Sequence, residues 1–154
     1  MKILLIGSTG QLGQTLIKTK PQNIKIIECS RSNIDLSNLE LINDFILNSN
    51  ANFVINSAAY TEVDKAESES ELAYQINAEA PNAMANAVSK TKGSLIHIST
   101  DFVFDGIKNI PYNPKDYVKP LGVYGKSKAK GEEYVLKLKN NYVVRTSWLY
   151  GDFG

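Results

Sequence analysis

Short apolar runs alternate with stretches of helical periodicity along the whole chain, and this alternation is what most constrains the fold. "KILLIG" is a β-branched and leucine run ending in glycine, as suits a strand buried on both faces. "NIKIIECS", "NFVINSAAY", "GSLIHIST" and "YVVRTSWLYG" read as four further strands. Between them, Leu12, Leu16 and Ile17 recur at helical spacing, and Leu39, Ile42, Phe45 and Ile46 share one helical side with Ser37 as the expected N-cap. A longer helix is expected from Ser70 to Lys92, with a kink or restart at Pro81, and a last one from about Gly122 to Leu138. The predicted class is α/β: a doubly wound parallel sheet in three α/β/α layers, a Rossmann-type architecture.

With 154 residues there is room for one domain with a core and too little for two ordinary ones. Seventeen Lys and Arg against sixteen Asp and Glu leave a net charge of +1, which speaks against nucleic acid or an anionic membrane as the partner. The apolar start breaks at Gly7, too early for a signal segment or membrane span, so a soluble cytoplasmic protein is expected. Cys29 stands alone and reads as a small buried apolar residue.

"GSTGQLG" places Gly7, Gly10 and Gly13 where the first strand turns into the first helix. In a doubly wound sheet that turn receives a dinucleotide pyrophosphate: glycine admits the tight turn and the close phosphate, and the helix N-terminus offers free N–H groups. At the end of the second strand an acidic residue would bind a ribose 2′-hydroxyl and a basic one a 2′-phosphate. Ser30 and Arg31 stand there and favour NADP(H), with NAD(H) compatible; the competing reading of Arg31 is a solvated loop cation.

In "LGVYGKSKAKGEE", Tyr124 precedes Lys128 by one helical turn, so both side chains leave the same face, roughly 6 Å apart along the axis. A free tyrosine titrates near about 10 and is a poor acid at neutral pH, whereas an adjacent ammonium stabilises its phenolate. Taken alone the pair is equally an accident of a surface helix. Ser99 and Thr100 stand at the carboxyl end of the fourth strand, the sheet edge where ligands bind, and offer the hydroxyl that orients a carbonyl. His97 alternates with Ile96 and Ile98 and reads as structural. The irregular stretch from Asp101 to about Pro120 is long enough to be functional or mobile.

Together "GSTGQLG", "NSAAYTEVDKAES", "INAEAP", "ISTDFVFDG", "YGKSKAKGE" and "VRTSWLYG" resemble the extended, sugar-nucleotide branch of the short-chain dehydrogenase/reductase superfamily, and within it the dTDP-4-dehydrorhamnose reductase family. The resemblance implies NADP(H)-dependent reduction of a dTDP-4-keto-6-deoxy sugar to dTDP-L-rhamnose, in the making of cell-surface polysaccharide. It implies catalytic roles for Thr100, Tyr124 and Lys128, with Tyr124 protonating the O4 oxyanion, Lys128 holding the ribose and depressing the tyrosine pKa, and Thr100 bonding the sugar carbonyl. Gln11 and Leu12 match its cofactor turn, Asp35 and Leu36 its adenine contact, and Ser57, Ala58 and Ala59 its loop beneath the dinucleotide. Asp101 and Trp148 match nucleotide-sugar contacts. Phe102 replaces the usual tyrosine, which keeps the ring and loses a hydroxyl. The resemblance also allows a magnesium ion, although Asp101 and Asp105 alone make no metal site, and a homodimer.

Other readings are an epimerase or dehydratase of the same branch, or a non-catalytic NAD(P)-binding regulatory subunit. A dehydratase would want a second acid beyond the Asp that follows Thr100. The family continues well past "WLYG". The expectation is thus a dinucleotide-binding domain over 1–154 with the C-terminal substrate domain largely absent, and an exposed sheet edge prone to association.

Overall fold

The structure, a computed structural model, describes all residues 1–154. Five parallel strands form one sheet in the order β2-β1-β3-β4-β5: β1 Lys2–Ile6, β2 Lys25–Cys29, β3 Phe53–Asn56, β4 Ser94–Thr100 and β5 Tyr142–Thr146. Each pair is parallel, with Ile3 opposite Ile26 and Phe53, and His97 opposite Asn56 and Val143.

The helices are α1 Gln11–Thr19, α2 Leu39–Ser49, α3 Ser70–Tyr74, α4 Ala80–Ser89 and α5 Val123–Leu136. Right-handed crossovers decide their faces. The step from β1 to β2 runs one way along the sheet and every later step runs the other, so α1 covers one face and α2, α4 and α5 the opposite one. Those three lie side by side. Beneath them Leu4, Ile6, Val54 and Leu95 of the sheet meet Ile42 and Ile46 of α2, Met84 and Val88 of α4 and Val135 of α5 in one apolar core. The winding reverses between β1 and β3, and a cleft opens there at the carboxyl ends of the strands, as doubly wound sheets require.

Several local expectations change. The N-cap of α2 is Asn38, whose side chain accepts from the Leu41 N–H, while Ser37 bonds Asp35 instead. The expected single helix from Ser70 is α3, a π-helical turn Gln75–Glu79 and then α4. The irregularity therefore lies before Pro81, which sits at the start of α4, where its missing N–H costs little. The segment after β4 opens with a 3₁₀ turn, Asp101–Val103. It is tied down by the Lys119 N–H donating to Val103 O, by the stacked rings of Phe104 and Tyr112, and by Asp105 between Tyr112 and Lys119. The last strand ends at Thr146, short of the apolar run that follows it.

Candidate active site

Two of the three glycines are sterically required. Gly7 has φ +85°, and a β carbon on it would stand 2.7 Å from the Ala58 nitrogen; one on Gly13 would stand 2.2 Å from the Gly7 carbonyl oxygen. Gly10 has ordinary room and serves as the N-cap of α1, leaving the first turn without a side-chain cap. Ser57 fastens the turn to the end of β3 by donating its hydroxyl to Ile6 O at 2.8 Å.

The cleft beside this turn holds about 740 Å³. Gly7, Gly10, Gln11, Leu12, Ser57, Ala58 and Ala59 line its floor, and Ser30, Arg31, Asp35 and Leu36 one end. Thr100, Asp101, Tyr124, Lys128 and Trp148 line the other. Of the residues expected to bind cofactor or substrate or to act in catalysis, only Gly13 stands behind the wall, where it supports Gly7. Arg31 is exposed; the Ser30 hydroxyl is engaged locally by Asn33 and Ser32. Hydrogen bonds from the Ser37 backbone and hydroxyl, helped by Arg31, hold the Asp35 carboxyl below its usual range. Trp148 reaches the rim with φ +50° and is 92% exposed, so no part of this chain packs on it.

Tyr124 is brought to Thr100 by close packing of α5 on the 3₁₀ turn. A β carbon on the next residue, Gly125, would stand 2.3 Å from Phe102 O. The Phe102 ring meets Tyr124 edge-on, with centroids 5.5 Å apart, so the missing hydroxyl at this position leaves the aromatic contact in place. Thr100 Oγ1 donates to Asp101 Oδ1 and accepts from the Phe102 N–H, each at 3.2 Å. Ser99 Oγ is buried without a partner beside this cluster.

The expected depression of the Tyr124 pKa by Lys128 is not what this geometry produces. Burial raises the phenol above its ordinary value, the Thr100 hydroxyl pulls it back, and the Asp101 charge adds to the rise. Lys128 points inward and donates to Ile98 O at 2.7 Å, with Nζ 3.5 Å from Nε2 of His97. Burial lowers the Lys128 pKa to about 8, opposed by the Glu132 carboxylate. His97 is fully buried and bonded to Asn56, in keeping with a structural residue; burial, then the Lys128 charge, holds its pKa well below 6.5.

Sequence patterning missed Asn77. It bridges the Tyr60 N–H and carbonyl and donates to Ser127 Oγ, clamping the loop after β3 to α5. It lies within "INAEAP", but periodicity does not report that its side chain is buried and polar.

The residues present do not fit a magnesium ion. No group of three or more His, Cys, Asp or Glu side chains comes together, and the Asp105 carboxylate is taken by Tyr112, the Ile107 N–H and Lys119. They do fit a dinucleotide: the glycine turn lines the cleft beside the N-terminus of α1, whose first turn has no side-chain cap and offers its N–H groups to a pyrophosphate. No helix is long and apolar enough to cross a membrane.

The family model described as RmlD substrate binding domain matches residues 1–154. A dTDP-4-dehydrorhamnose reductase of Aggregatibacter actinomycetemcomitans is 38% identical over 99% of the chain and 53% of its own length, and that of Salmonella typhimurium is 37% identical over 100% and 53%. A crystal structure of a dTDP-4-dehydrorhamnose reductase from Clostridium acetobutylicum superposes with a TM-score of 0.95 at 43% identity, over 99% of this chain and 55% of that one. One from Bacillus anthracis in complex with NADP gives 0.94 at 37%, with the same coverage. The chain thus spans about half the length of the curated relatives it matches.

Proposed function

The chain belongs to the RmlD substrate binding domain family, and from that premise we propose that it is the dinucleotide-binding half of an NADP(H)-dependent dTDP-4-dehydrorhamnose reductase, acting in dTDP-L-rhamnose biosynthesis. The observation that carries the reading is one cleft lined from the glycine turn to Thr100, Tyr124 and Lys128. Residues 1–154 form the cofactor domain, and in a protein of the relatives' length the remaining half completes the sugar side, where Asp101 and Trp148 stand open.

When bound, a reduced nicotinamide cofactor would supply the hydride that reduces C4 of the keto sugar. The chain's own part is to bind, orient and protonate. The turn from Gly7 to Gly13 and the α1 N-terminus receive the pyrophosphate, Arg31 the 2′-phosphate that distinguishes NADP from NAD, and Asp35 and Leu36 the adenine side. Thr100 turns its hydroxyl from Asp101 to the sugar O4 and orients the carbonyl. Tyr124 gives its proton to O4 as negative charge develops there.

Its raised pKa keeps Tyr124 fully protonated at neutral pH, the form that a reduction consumes. A high pKa also makes the proton hard to release, and the Lys128 cation offsets this when it swings from Ile98 O toward the ribose and the nascent phenolate. Asp35, exposed at the far end of the cleft, has no part in the proton transfer.

Incubating the complete protein with NADPH and dTDP-4-dehydro-6-deoxy-L-mannose tests the reading. Stoichiometric loss of NADPH with formation of dTDP-L-rhamnose is the expected result. Isomerised sugar with no net loss of NADPH would assign an epimerase instead, and no change in either would leave a binding subunit.

A further inference from the structure

The least expected arrangement in the molecule is a buried chain of side chains behind the cleft: Asn56 on β3, His97 on β4 and Lys128 on α5, with relative exposures of 0%, 0% and 2%. Its hydrogen bonds have a direction. Asn56 Oδ1 accepts from the Ala58 N–H at 3.1 Å, which settles which end of the amide faces the loop. The other end, Nδ2, lies 3.1 Å from His97 Nδ1 and can only donate. Nδ1 must therefore carry the lone pair, and the proton of the neutral ring sits on Nε2.

Nε2 faces Lys128 Nζ at 3.5 Å. An ammonium has no lone pair to offer an N–H; a neutral amine has one. Nζ already gives one N–H to Ile98 O. We propose that Asn56 and His97 are positioning residues for Lys128: the His97 Nε2–H, aimed at Nζ by the Asn56 amide, favours the amine over the ammonium for as long as the side chain is seated on Ile98 O.

Other charges near the seat do not undo this. Glu132, one turn along α5, is the carboxylate whose charge acts on Lys128, and Arg145 of β5 holds it through Nε at 2.9 Å and Nη2 at 2.6 Å. Asp101 bonds Thr100, Tyr124 is a neutral phenol on the cleft side, and Glu67 accepts from the Val123 N–H at the start of α5. Burial alone brings the Lys128 pKa down to about 8 against the pull of Glu132, and the facing N–H disfavours the ammonium in the same direction. The seated lysine is a reluctant cation. In the swung-out position it faces ligand hydroxyls and solvent and recovers ordinary basicity, so above about pH 8 the move takes up a proton. Cofactor binding is thereby coupled to charging of Lys128. This coupling rests on the reductase reading; the tautomer does not.

His97 is the one histidine of the chain, so its imidazole nitrogens give an unambiguous ¹⁵N spectrum in the ligand-free protein. The expected result is a neutral ring protonated at Nε2, unchanged from about pH 5.5 to 8, with Lys128 followed at its Cε titrating near 8. A ring protonated at Nδ1, or a Lys128 midpoint at the ordinary 10.5, overturns the proposal. In Asn56→Asp the carboxylate still accepts from Ala58 but now also from His97; the ring proton should move to Nδ1 and the Lys128 midpoint rise by about 1 unit or more. An Asn56→Asp ring that keeps its proton on Nε2 also overturns it. Because no cofactor or substrate is present, these outcomes are independent of whether the protein turns over a nucleotide-sugar.

Discussion

Gly131 of α5 lies against the carbonyl of Asn77 in the π-helical turn so closely that a β carbon would stand 2.1 Å from that oxygen. Two effects oppose each other at this position. Alanine is favoured over glycine inside a helix by about 1 kcal/mol. The contacted atom is backbone, however, and cannot rotate away, so α5 must lift from the turn at a cost of roughly 1–3 kcal/mol or more. Gly131→Ala should therefore lose on the order of 2 kcal/mol in chemical denaturation; a gain in stability would show that the helices part more easily than this packing implies.

Arg31 decides the cofactor in this account. It is exposed, so its bond to a 2′-phosphate is worth the low end of a charge-assisted hydrogen bond, about 1.5 kcal/mol. Arg31→Ala should weaken NADPH binding about 10-fold and leave NADH nearly unchanged when both are titrated against the chain. Equal losses for the two cofactors would mean that the guanidinium reads no phosphate.

His97 predicts the acid side of the stability curve. Its folded pKa is depressed well below the unfolded 6.5, so between those values the unfolded chain binds a proton that the native one refuses. Stability then falls as pH drops below about 6.5, with a slope approaching about 1.4 kcal/mol per unit. Lys128 has the same sign in another window: with about 8 folded against 10.5 unfolded, it makes stability rise with pH between those values. Urea titrations of the wild type near pH 7 and pH 5.5 should differ by about 1 kcal/mol, and His97→Gln should flatten that slope.

The sheet was legible because parallel strands buried on both faces are written as unbroken apolar runs, as at Ile3 to Ile6 and Phe53 to Ile55. The glycine turn was legible because only glycine tolerates the φ of Gly7 and the crowding at Gly13. The ordered motifs placed Thr100, Tyr124 and Lys128 along one cleft. What periodicity hides is the direction of polar atoms. Nothing in "AYQINAEAP" says that the helix widens to a π turn before Pro81 rather than kinking at it, or that Gly131 of α5 packs against that turn at Asn77. A lysine one turn from a tyrosine is spelled the same whether it leans on the phenol or turns inward to Ile98 O. Here it turns inward to Ile98 O, and the phenol's own burial raises the Tyr124 pKa.

The central claim is that Tyr124 hands a proton to the sugar oxygen, and the most direct test is NADPH consumption by the complete protein and its Tyr124→Phe variant on the 4-keto-6-deoxy nucleotide-sugar. Loss of the general acid should lower kcat by about 10²- to 10⁴-fold while NADPH binding is retained. Turnover by Tyr124→Phe at the wild-type rate would contradict the account.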